Sequence, residues 1–95
     1  MSTNSTMNSA APVTAELLTQ VLQVALTPVT LTVRDDSHLH AGHAGARDGR
    51  HFHVTICSEC FRGLTRVASH RLVYDALREV IPQGVHALAI QASAP

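Results

Sequence analysis

The sequence predicts an α+β domain of order αββααβ, with a three-stranded mixed sheet and helices packed on one face. Three observations carry that prediction. Val29–Asp35 and His51–Cys57 alternate apolar and polar residues with period two, as half-buried strands do. The stretch from Thr14 to Pro28 and the one from Thr65 to Ile81 instead space their apolar residues three or four apart, as amphipathic helices do. A third strand-like run, Val85–Ala92, follows the second of these helices. Because a strand, a crossover helix and a further strand in one sheet form a parallel, right-handed unit, the third strand is expected to run parallel to the second.

Residues 1–12 are Ser, Thr, Asn and Ala with two Met and a closing Pro. Such a composition does not offset the entropy of ordering, so a disordered lead is expected before a single domain over 13–95. Thr14 suits the N-cap of the first helix, and Val13 and Leu18 occupy the two positions of a hydrophobic staple. Leu17, Leu18, Val21, Leu22 and Ala25 form its apolar face, and Pro28 stops it.

In the first strand Val29, Leu31 and Val33 share one face; in the second, Phe52, Val54 and Ile56 point inward while His51, His53, Thr55 and Cys57 point outward. The connection between them is rich in His and Gly. Residues 35–54 hold five of the seven histidines and three of the five glycines of the chain.

Ser58–Gly63 suits a short helical turn ended by Gly63. The helix after Thr65 is predicted to run some four turns on Val67, His70, Val73, Tyr74, Leu77, Val80 and Ile81, until Pro82 and Gly84 end it. Leu88 and Ile90 of the last strand face the core.

Composition bounds the function. At 95 residues the chain is one small domain of modest core, with 3% aromatic residues and no Trp, so few rings are available to stack on bases. Seven Arg balance seven acidic residues and there is no Lys, which argues against a strong sequence-independent grip on a phosphate backbone. No apolar run reaches the length of a membrane span and the N-terminus lacks a signal-peptide pattern, so a cytoplasmic location is expected. Cys57 and Cys60 read as reduced thiols. Although they match C-x-x-C, they do not follow the first strand of a βαβ unit as a thioredoxin-like pair would, so they read as incidental.

Parallel pairing has a chemical consequence: it places His86, at the start of the last strand, at the sheet end where the histidine-rich connection empties. Cys57 closes the second strand at the far end, roughly 20 Å from His51 at about 3.3 Å per residue. The cysteines and the loop histidines therefore cannot share one metal.

From about Ala15 to Ala92 the chain resembles the BolA family. The resemblance rests on LTVRDDSHLHAGHAGA, the HF opening of the second strand, the Ser58–Gly63 segment with Phe61 and Gly63, HRLVY in the long helix, and VHALAI at the end, all in the family's order. It implies a class II KH-like domain and a monothiol glutaredoxin as partner. In such heterocomplexes a labile 2Fe-2S cluster is held by a glutaredoxin cysteine, a glutathione thiol and two ligands from the BolA side.

Carried onto this sequence, those two ligands fall on His86, in the VHAL motif, and on His40 in the loop. His38 and His43 are alternates, because they flank His40 in a slightly longer loop. No cofactor is expected in the isolated chain. Family members are also treated as transcriptional regulators, which makes DNA a second candidate partner. The segment 58–80 would then act as a helix-turn-helix-like unit, with Arg62, Arg66 and Arg71 as phosphate contacts. A homodimer is a further candidate assembly.

No nucleophile and base stand out, so the chain reads as an adaptor and not an enzyme. His51 and His53 read as exposed residues of a structural kind, His70 as packed or hydrogen-bonded, and Arg78 as paired with Asp75 or Glu79.

Overall fold

The computed structural model describes residues 13–37 and 50–95. Along them run helix α1 (Ala15–Leu26), strands β1 (Thr30–Asp35) and β2 (Arg50–Cys57), a 3₁₀ turn (Glu59–Phe61), helix α2 (Arg66–Ala76), a second 3₁₀ turn (Ile81–Gln83) and strand β3 (Val85–Ser93). The expected lead over 1–12 and the loop histidines His38, His40 and His43 lie outside the described residues.

The sheet has order β1-β2-β3, with β1 antiparallel and β3 parallel to β2. That is the mixed α+β arrangement the sequence predicts. Phe52, Val54 and Ile56 are buried on the inner face of the central strand, against Leu18, Leu22 and Leu26 of α1, Val73 of α2 and Leu77 just after it. The outer face carries Arg34, His53 and Gln91 in a polar chain across all three strands: an Arg34 guanidinium nitrogen lies 3.3 Å from His53 Nδ1, and His53 Nε2 lies 3.3 Å from Gln91 Oε1.

Helix α1 starts as the sequence dictates. Thr14 Oγ1 accepts the Leu17 N–H at 3.1 Å, and Val13 and Leu18 of the staple are both buried. At its other end Thr27 takes a left-handed conformation (φ 40°), which returns its N–H to the Gln23 carbonyl. Gly63 has φ 80°, and a Cβ there would meet nothing within 4 Å; backbone conformation, and not space, asks for glycine.

Several expectations are corrected. Ala25 is exposed, and Val29 is 64% exposed because it precedes β1, beyond the edge of the core layer. The short helical turn expected over Ser58–Gly63 is present as a 3₁₀ turn, so the second helix of the expected order amounts to this single turn. Helix α2 ends at Ala76, short of the expected Ile81, because Leu77 leaves the helical backbone (φ −99°, ψ 6°). The chain tightens instead, with both Val80 N–H and Ile81 N–H donating to the Leu77 carbonyl. Val67 and Tyr74 are 62% and 44% exposed, since α2 turns the neighbouring stripe of Ser69, Val73 and Leu77 to the core. Arg78 makes no ion pair with Asp75 or Glu79.

Candidate metal-ligating end of the sheet

Where β1 leaves the sheet and β2 enters it, the chain is held by a compact set of hydrogen bonds. The Asp36 N–H donates to the His51 carbonyl at 2.7 Å, and the His51 N–H donates to Ser37 Oγ at 3.1 Å. Asp35 spans both sides of the opening: its carboxylate accepts the Ser37 N–H at 2.9 Å and the Arg50 guanidinium at 3.1 Å. Partial burial pushes the Asp35 carboxyl up, but the hydrogen bonds from Ser37, together with Arg50, outweigh it and hold the group below the usual carboxylate range. The base of the histidine-rich loop is thereby fixed on the sheet. Beside it, Asp36 binds the Arg34 guanidinium at 2.7 Å, which raises the arginine further above its ordinary value.

His86 reaches this end by the parallel pairing. Arg50 pairs with Val85 and His51 with Ala87, so a register shift between Arg50 and His51 leaves His86 as the extra residue. Its ring stands over that of His51, with centroids 5.2 Å apart and planes tilted by 49°. His86 is exposed and His51 half-buried. Two imidazoles thus face each other next to the clamped loop base.

The sequence places His86 here but marks His51 only as a structural residue. The available signal was the parallel pairing, which sets the first residues of β2 against the first residues of β3; the irregular register that brings the rings together is not written in the sequence pattern. Asp35 and Arg50 are likewise unmarked in the sequence pattern, although Asp followed by Ser two residues on is a familiar side-chain-to-backbone turn. Among the described residues no group of three or more His, Cys, Asp or Glu side chains could hold a metal ion. The imidazole nitrogens present suit iron as a partial ligand set and no more.

The other candidates fall elsewhere. Arg62 is engaged with the Glu59 carboxylate at 2.9 Å and with the Pro95 carbonyl at 2.6 Å; the carboxylate raises the guanidinium further and is itself held below its ordinary range. Arg66 and Arg71 are exposed on α2 and form no ion pair among the described residues. Cys57 and Cys60 are free thiols at the opposite end, next to Ser58. His70 is half-buried and lines a groove with Arg66 and Ile90.

A family model described as BolA-like protein matches residues 22–95. The chain is 45% identical over 85 residues to "Protein BOLA1, chloroplastic" of Arabidopsis thaliana, covering 85% of this chain and 53% of that one. It is also 45% identical over 80 residues to "SufE-like protein 1, chloroplastic/mitochondrial" of the same plant, covering 78% of this chain and 22% of that one. The chain therefore spans about half the length of the first relative and less than a quarter of the second. Among solved structures, the BolA domain of SufE1 from Arabidopsis thaliana superposes with TM-score 0.76 at 40% identity, covering 90% of this chain and 96% of that one. No helix among the described residues is long and apolar enough to cross a membrane.

Proposed function

The chain belongs to the BolA-like protein family, and from that premise we propose that it is a non-catalytic adaptor that binds a monothiol glutaredoxin and co-ligates a labile 2Fe-2S cluster. The observation that carries the reading is the position of His86, opposite His51 at the sheet end where the loop is clamped. Three peptide units separate His40 from Ser37, a span of at most about 11 Å, and Ser37 is itself bonded to His51. His86 and a loop histidine, His40 first and His38 or His43 as alternates, would hold one side of the cluster. A glutaredoxin cysteine and glutathione would complete it.

In this reading the residues of the chain divide the work. Asp35, Ser37 and Arg50 fix the loop base, and His51 limits the rotation of the His86 ring. Neutral imidazoles bind iron less tightly than thiolates and add no negative charge, which suits release or sensing better than permanent storage. When bound, the cluster supplies a one-electron centre that can also be handed on. The name of the SufE-like relative, which contains a BolA domain, supports the iron–sulfur direction. The free thiols Cys57 and Cys60 fit a reducing compartment, the cytoplasm among them.

The test is co-expression with a monothiol glutaredoxin, followed by visible circular dichroism and iron and sulfide analysis. His86→Ala is expected to abolish the heterocomplex spectrum, and His40→Ala to weaken it. An unchanged spectrum with His86→Ala would remove the proposed ligand. The DNA-binding alternative has a narrower footing, because Arg62 is engaged and the segment before α2 is a single 3₁₀ turn; Arg66 and Arg71 remain for phosphate contact. It requires sequence-selective binding at physiological salt that is lost when both are changed to Ala and kept in His86→Ala.

A further inference from the structure

Strand β3 is an edge strand: among the described residues it pairs only with β2, and its nine residues include no proline, lysine, arginine or carboxylate. Natural edges of that length are normally blunted by charge, proline or cover. The Ser93 carbonyl accepts the Ser58 N–H at 2.9 Å, so Ser93 and every second residue before it turn their backbone groups toward β2. Leu88, Ile90 and Ala92 consequently turn theirs outward. Tyr74 confirms the sense: its hydroxyl stands 3.5 Å from the Leu88 carbonyl, reached from α2.

An apolar stripe stands over that edge. Val67 and Tyr74 lie two turns apart on α2, with His70 between them, and Leu64 precedes the helix; Leu64, Val67 and Tyr74 are 41%, 62% and 44% exposed. His70 and Ile90 line one groove between helix and strand. The charges of the helical segment are also polarised. Arg66 and Arg71 give its first half two positive charges, whereas Asp75, Arg78 and Glu79 give its end a net single negative charge; none of these five is in an ion pair among the described residues.

We infer that a second copy of this chain covers the edge, through antiparallel β3–β3 pairing about a two-fold axis at Ile90. In that register Ile90 faces Ile90 and Leu88 faces Ala92, so each outward residue meets an outward residue and exchanges backbone hydrogen bonds with it, the Leu88 carbonyl using the lone pair that Tyr74 does not reach. The same two-fold sets the two α2 helices side by side and antiparallel on one face, burying both stripes together. It also lays the Arg66–Arg71 half of each helix against the Asp75–Glu79 half of the other. One symmetry operation thus satisfies the edge, the apolar stripe and the charges, as an isologous interface requires. The two His86 residues end up roughly 26 Å apart along the strands, at opposite ends of the joined sheet.

Sedimentation velocity of the full chain from micromolar to sub-millimolar concentration tests this. A reversible monomer–dimer equilibrium is expected. Ala92→Pro deletes one outward N–H per chain without touching the β2 ladder, so the monomer should keep its far-ultraviolet circular dichroism while dimer affinity falls about tenfold or more. Val67→Arg, on the exposed helix stripe, is expected to weaken the dimer to a similar degree and decides the matter if the proline variant fails to fold. His86→Ala should dimerise like the parent chain, so a failed cluster assignment and a failed dimer appear in different measurements. A chain that stays monomeric throughout, or a dimer that Val67→Arg leaves intact, overturns the inference.

Discussion

The two ends of the sheet each collect a pair of metal-binding residue types, and they put them to opposite uses. At one end His51 and His86 stand ring to ring beside the open base of the loop. At the other, Cys57 and Cys60 flank Ser58, which is 1% exposed. Ser58 Oγ donates to the Leu26 carbonyl at 2.7 Å and accepts the Cys60 N–H at 3.2 Å. That carbonyl is one of the four that α1 leaves without an internal partner, so Ser58 closes a helix end. The histidine end is held by backbone groups together with the Asp35, Ser37 and Arg50 side chains; the cysteine end is held by the Ser58 hydroxyl on a helix carbonyl. Residue types alone do not distinguish a site from a seam.

The largest effect expected from this contrast is on stability. Ser58→Ala strands the buried Leu26 carbonyl and frees a part-buried Cys60 N–H, and should cost about 1–3 kcal/mol in urea unfolding. His86→Ala, at an exposed position, should fall within about 0.5 kcal/mol of the parent. Equal losses at the two positions would mean that the histidine end is also structural, and the comparison would break.

A smaller effect is expected in acid. Asp35 has a folded-state pKa below its unfolded value, so its contribution is fully present above about pH 4 and is lost as pH falls through the lower, folded value. Asp35→Asn should remove that part of the pH dependence. Glu59 is lowered too, chiefly by its hydrogen bond with Arg62, but the pair is exposed and screened, so Glu59→Gln should leave the acid limb unchanged. Denaturant midpoints between pH 2.5 and 6 would show whether only the histidine-end carboxylate matters.

The fold was legible because its strongest signals are local and periodic. Phe52, Val54 and Ile56 alternate into the core as read, Thr14 caps α1, and the crossover rule alone carried His86 to the correct end of the sheet. What escaped depends on contacts between distant segments. Val67 and Tyr74 have helical spacing, yet two stripes of α2 are apolar and only packing against β2 decides that Val73 and Leu77 go inward. The approach of His51 to His86 depends on a register shift of one residue, and the engagement of Arg62 depends on the carbonyl of Pro95, far along the chain. Periodicity registers neither.

The smallest expected effect sharpens the contrast most, because it concerns the motif that invited the strongest chemical reading. Cys57 continues the outward set of His51, His53 and Thr55, whereas Ser58 is extended (φ −149°, ψ 146°) and buried, and Cys60 Sγ lies 3.1 Å from Ser58 Oγ. An extended residue directly after Cys57, followed by a turn of only three residues, does not offer a thiolate the helix N-terminus that activates redox cysteines. Changing both Cys57 and Cys60 to Ser should therefore shift unfolding free energy by less than about 0.5 kcal/mol and leave the glutaredoxin heterocomplex spectrum unchanged. Thiol counting after diamide treatment supplies the converse check. Rapid loss of both thiols to an intramolecular disulfide, accompanied by a changed spectrum, would show that the cysteine end communicates with the histidine end, and the division of labour between the two would have to be redrawn.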